Sequence, residues 1–112
     1  MAEISALASS NSIEFSVFII PLPTQVSSEE WSPGKHDYYG YKKDYFDNSL
    51  VYQLRLTSFC NTAGIECIDL LPDFRAATSK DFPIFLPYDG HFTEKGHRVV
   101  ARVVARHLGV PH

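Results

Sequence analysis

The sequence predicts an α/β fold with parallel strands, and three observations lead there. The stretches Phe15-Ser16-Val17-Phe18-Ile19-Ile20 and Ile65-Glu66-Cys67-Ile68-Asp69-Leu70-Leu71 are short, largely apolar runs of strand length. The first is apolar on both of its alternating sides, which suits a strand covered on both faces of a parallel sheet. A helical pattern lies between the two runs, and a strand, helix, strand succession joins parallel neighbours through a crossover.

Residues 1–12 are small and polar, with three alanines and four serines, and read either as a frayed end or as the remnant of a helix. The first strand, over 15–20, must stop at Pro21-Leu22-Pro23, because proline donates nothing to a ladder. From 27 to 47 the chain is aromatic and polar, with no strong period. About twenty residues is long for a plain connector, and such loops are usually functional or mobile. Trp31, Tyr38 and Tyr39 are its candidates for substrate contact; the competing reading is that these rings cover the sheet end.

Asp47, Asn48 or Ser49 can cap a helix running to about Ala63. Leu50, Leu54, Phe59 and Ala63 supply an inner face at helical spacing, and Gly64 fits the stop. The second strand, over 65–71, ends before Pro72. Residues 73–80 form a turn or short helix, and 81–91 a loop containing Pro83 and Pro87. Thr93 caps a last helix over about 94–108, with Val99, Val100, Val103, Val104 and Leu108 as its buried stripe. Arg98, Arg102 and Arg106 recur every four residues and form its solvated face.

A chain of 112 residues supports one domain, 1–112, with a modest core. Its hydrophobic fraction of 45% is that of a globular protein rather than a disordered one. Ten basic against thirteen acidic residues leave a net charge of −3, and only Lys42 and Lys43 are adjacent, so no nucleic-acid surface is expected. No apolar run nears the ~20 residues that span a bilayer. Met1-Ala2-Glu3-Ile4 lacks the basic and apolar regions of a signal peptide, and the compartment stays open. Cys60 and Cys67 do not have a metal spacing; they read as small apolar packing residues, with a disulfide as the weaker alternative.

The chemistry concentrates in Leu86-Pro87-Tyr88-Asp89-Gly90-His91-Phe92-Thr93-Glu94-Lys95-Gly96-His97. In an extended segment residues i and i+2 point to one side, so Asp89 can hold one ring nitrogen of His91 and leave the other to take a proton. These are the orienting acid and general base of a nucleophilic hydrolase. The bland alternative is local: Asp89-Gly90 is a good turn dipeptide, and His91 then merely precedes the helix. Asp69, at the end of the second strand, is a rival for the orienting acid. A zinc site built from Asp89, His91 and His97 ranks far below either, so no metal and no cofactor is expected. His36 and Asp37 are adjacent and point apart in extended chain, which disfavours a second dyad.

The blocks Phe18 to Pro23, Gly64 to Leu71 and Asp89 to Val104 together resemble the C-terminal half of SGNH (GDSL-like) hydrolases. They are similar as well to the related acetyltransferase-like proteins that carry an Asp-x-His-Trp motif. The resemblance implies a partial flavodoxin-like (SGNH) three-layer sandwich, with the site at the carboxyl ends of the parallel strands. It implies that Asp89 and His91 are the acid and base of a Ser-His-Asp triad acting in ester hydrolysis or O-acyl (acetyl) transfer. The substrate would be a small-molecule or carbohydrate ester.

Two departures stand out. The spacing is Asp-x-His rather than Asp-x-x-His, with Phe92 where the second group has Trp. No serine matches a Gly-Asp-Ser nucleophile block: Ser9, Ser10 and Ser12 lack the preceding Gly-Asp and lie before the wrong strand. The chain therefore reads as the C-terminal portion of such a domain or a degenerate copy, inactive alone. The alternative function is a non-catalytic binding or assembly module that recognises carbohydrate through the aromatic loop 31–46. With only two strands, an exposed sheet edge would favour a homo-oligomer.

Overall fold

The computed structural model describes residues 1–31 and 46–111. They form α1 (Ala2–Ser10), β1 (Ser16–Ile19), α2 (Pro23–Val26), α3 (Ser28–Trp31), α4 (Val51–Ala63), β2 (Glu66–Asp69), α5 (Leu71–Asp81) and α6 (Glu94–His107). The architecture is α/β. The chain divides into two compact units, Met1–Ile20 with Ser49–Asp69, and Pro21–Asn48 with Leu70–His112.

In the first unit β1 and β2 pair in parallel, with Ser16 opposite Glu66 and Ile19 opposite Asp69. Ser16 Oγ also donates to Glu66 Oε2 at 3.0 Å. Both strands are shorter than their apolar runs. Ile19 is buried, Val17 and Phe18 are half-buried, and Ile20 is exposed, so β1 is not covered on both faces. A two-stranded sheet cannot cover itself; burying both faces takes layers on each side.

Helix α4 packs on β2. It begins at Val51, whose N–H donates to Ser49 Oγ at 3.2 Å, and ends at Gly64, whose φ of 66° lies in the left-handed region open to glycine. The inner face is not the expected one. Leu50, Leu54, Phe59 and Ala63 are exposed, Leu54 by 65%, while Gln53 and Cys60 are buried. The disulfide decides this. Cys60 and Cys67 are bonded, with Cα atoms 6.1 Å apart, so the helix turns the Cys60 side toward β2. The expectation that these cysteines pack as separate apolar residues is corrected accordingly. Helix α1 buries no residue.

In the second unit the proline segment does more than stop β1. Pro23 opens the one-turn helix α2, where its fixed φ suits a helix start. Pro72 does the same inside α5, so the segment after β2 turns straight into an eleven-residue helix. Leu70, Leu71 and Phe74 are buried there with Ile84, Phe85, Val99 and Val103. Phe74, Phe85 and Phe92 form a triangle of rings with centroids 5.4–5.8 Å apart.

Helix α6 is capped as the sequence predicts: Thr93 Oγ1 accepts from Gly96 N at 3.2 Å. Val99 and Val103 are buried and Val100 and Val104 half-buried, but Leu108 is exposed, because it lies past the last turn. The arginines are not simply solvated. Arg98 pairs with Glu94, Arg102 with Asp81 at 3.1 Å and Arg106 with Asp73 at 2.8 Å, the last two reaching from α6 to α5. Such exposed pairs each contribute about 0–1 kcal/mol.

Candidate active site

The Asp89–His91 segment is the tip of a small hairpin. Phe85 and Phe92 form an antiparallel bridge. Leu86 N donates to His91 O at 2.8 Å and Thr93 N to Ile84 O at 2.9 Å, so two backbone bonds flank the phenylalanine pair. Thr93 Oγ1 reaches Pro83 O at 2.7 Å and Ile84 O at 3.1 Å, tying the hairpin base to the start of α6. The buried Phe85 and half-buried Phe92 rings pack against Phe74 and hold the hairpin down, and its polar tip faces outward.

At the tip Asp89 Oδ1 accepts the His91 backbone N–H at 2.8 Å and lies 3.2 Å from His91 Nδ1. The bond to the backbone N–H is the turn-capping geometry, and the same carboxylate oxygen stands beside the imidazole ring. The imidazole side chain is 85% exposed and the carboxylate 44%, which leaves Nε2 open to an incoming group. A hydrogen bond from Nδ1–H to a carboxylate puts the lone pair of a neutral imidazole on Nε2, the arrangement a general base needs.

Gly96 makes this hairpin possible. A Cβ there would overlap Ile84 O and sit 3.0 Å from Phe92 Cβ. The glycine lets the first turn of α6 lie directly against the hairpin. The Asp-Gly-His-Phe-Thr-x-x-Gly string thus encodes a carboxylate–imidazole contact, a ring anchor, a helix cap and a close approach.

Residues 10–110 match the family described as "SGNH hydrolase-like domain, acetyltransferase AlgX". The chain belongs to this family. That span holds both strands, the disulfide, the hairpin and all of α6. No curated protein and no solved structure matches the chain.

The remaining candidate residues fall in different places. Trp31 ends α3 and is 4% exposed, so its indole is packed rather than offered to solvent. Tyr38 and Tyr39 lie outside the described residues. Asp69 closes β2, half-buried, and the carboxylate at the His91 ring is that of Asp89. A cavity of about 280 Å³ lies between α5 and α6, but neither Asp89 nor His91 lines it. Its charged walls include Asp73, Asp81, Arg102 and Arg106, which are paired with one another, so it reads as a groove between packed helices. Among the described residues no three His, Cys, Asp or Glu side chains are grouped to hold a metal ion, and no helix is long and apolar enough to cross a membrane.

Sequence reasoning missed Glu30. It is 1% exposed, and its carboxylate accepts Ile84 N at 2.8 Å, Phe85 N at 3.1 Å and Thr78 Oγ1 at 2.8 Å. In the sequence it stands in Ser28-Glu29-Glu30-Trp31, inside the aromatic and polar stretch 27–47 that has no strong period. Its partners are some fifty residues away, and no local pattern announces them.

Proposed function

We propose that this domain serves ester hydrolysis or O-acyl transfer of SGNH type, with His91 as general base and Asp89 as its orienting acid. The observation that carries the reading is the 3.2 Å approach of Asp89 Oδ1 to His91 Nδ1 on an exposed hairpin tip, in a chain of the SGNH hydrolase-like family.

In the proposed reaction His91 Nε2 takes the proton from a serine hydroxyl. The serine Oγ adds to the acyl carbonyl, and His91 returns the proton to the departing alcohol oxygen as the C–O bond breaks. A second alcohol or water, deprotonated by His91, then attacks the acyl-serine; the bond from the acyl carbon to serine Oγ breaks, and His91 returns the proton to that oxygen. Asp89 holds the ring upright and stabilises the imidazolium that forms. No Gly-Asp-Ser block occurs in the sequence, so the serine and the oxyanion donors are supplied from outside this chain.

The exposure of the pair supports the same division. Charge stabilisation at a reacting centre is strong only where water is excluded. A ring 85% open to solvent has no such shelter by itself, and the chain alone is expected to turn over no ester above the background of a surface imidazole.

The test is hydrolysis of p-nitrophenyl acetate by the natural protein that carries this domain. Asp89→Asn should lower kcat by roughly 10⁴-fold, the scale on which losing the orienting acid acts in a triad. His91→Ala should abolish the reaction and leave folding intact, since the side chain is exposed. Full activity in His91→Ala overturns the reading.

A further inference from the structure

We propose that Glu30 is a positioning residue for the Asp89–His91 pair: a buried carboxylate that clamps the base of the hairpin and so keeps acid and base in register. This rests on the functional reading of the pair given above. The clamp is built from three bonds onto two oxygens. Ile84 N and Thr78 Oγ1 donate to Oε1, and Phe85 N donates to Oε2. Glu30 is in turn held by its own backbone, whose N–H donates to Ser27 Oγ at 3.1 Å.

The reason lies in the hairpin itself. Its two inter-strand bonds use Leu86 N and Thr93 N, and neither uses the Ile84 or Phe85 amide. Ile84 and Phe85 are fully buried, so those N–H groups would be stranded away from water without an acceptor. A carboxylate answers both with charge-assisted bonds, which are shorter and stronger than neutral ones. The other strand of the hairpin follows, because Ile84 O receives Thr93 N and Leu86 N donates to His91 O. His91 O is thus two bonded steps from Glu30, and the His91 N–H is the group that Asp89 caps. Displacing 84–85 moves the backbone of residue 91 and opens the 3.2 Å approach on which the ring orientation depends.

Glutamine at position 30 keeps the shape but turns one acceptor oxygen into an NH₂ donor, aimed at an amide that is itself a donor. Thr78→Val supplies the contrast: it removes one bond from the same carboxylate and leaves both amide bonds in place.

The experiment is ¹⁵N NMR of the histidine rings in the 112-residue chain, reading which nitrogen of neutral His91 carries the proton. In the unaltered chain Nδ1–H should predominate, and Asp89→Asn should shift the population toward Nε2–H. Glu30→Gln should shift it the same way, while Thr78→Val, which keeps both amide bonds to the carboxylate, should leave it unchanged. A Glu30→Gln chain that folds and keeps the unaltered tautomer overturns the clamp and spares the Asp89–His91 reading. An unaltered tautomer in Asp89→Asn overturns both. Should Glu30→Gln fail to fold, hydrogen exchange in the unaltered chain decides. Protected Ile84 and Phe85 amides support the clamp, and free-peptide exchange rates there overturn it.

Discussion

Replacing Gly96 by alanine should destabilise the second unit although alanine is the better helix former. The added methyl would overlap Ile84 O and stand 3.0 Å from Phe92 Cβ and 3.1 Å from Ile84 Cγ2, where carbon atoms prefer ~3.5–4.0 Å. None of these neighbours yields easily. One is a backbone oxygen already receiving Thr93 N at 2.9 Å, and Phe92 is pinned among Phe74 and Phe85. Overpacking of this kind costs about 1–3 kcal/mol. Losing the Thr93 N to Ile84 O bond adds about 1 kcal/mol. Against this, Ala in place of Gly in a helix returns about 0.5–1 kcal/mol. The net is a loss of about 1–3 kcal/mol. The assay is urea unfolding followed by the fluorescence of Trp31, the single tryptophan, which is buried in the same unit. Gly90→Ala is the control: nothing lies within 4 Å of its added methyl, so its midpoint should move by less than the equivalent of ~0.5 kcal/mol. A Gly96→Ala midpoint equal to or above that of the unaltered chain would refute the reasoning.

Two further outcomes follow from the first unit. Cys60 and Cys67 close a loop with a sequence separation of 7, so chain-entropy arguments give a loss of about 2 kcal/mol when both are replaced by alanine. The check is hydrogen exchange of the α4 and β2 amides, and unchanged protection would contradict it. The outward residues Val51, Tyr52, Leu54 and Phe59 of α4 give this unit an exposed apolar face beside a short sheet, so the chain should self-associate in light scattering at neutral pH, and Leu54→Glu should reduce the mass. A monomer at every concentration sinks that expectation.

Much of the local structure was legible from local chemistry. The proline breaks, the Gly64 stop and the Thr93 cap depend on residues within a few positions of one another, and each appears where its chemistry places it. Asp89 does meet His91, but across the turn at the hairpin tip rather than along one side of an extended segment. The inner face of α4 was not legible. Its apolar residues have helical spacing, but spacing says only that a face exists, and the Cys60–Cys67 bond chose a different side to bury. β2 was shorter than its apolar run because Leu70 caps α5 and Leu71 begins it, and both are buried there instead of in the sheet.

By itself the sequence determined the parallel α/β order, the contact between Asp89 and His91 and the helix that follows it, because those rest on backbone rules with a reach of a few residues. Tertiary structure alone decided that Glu30 lies buried beneath the hairpin, that Gly96 must be bare, and that Trp31 is packed away. Burial depends on what the rest of the chain brings to a residue, and a carboxylate in a polar stretch without a strong period shows no sign of it until amides from fifty-odd positions later arrive to bond it.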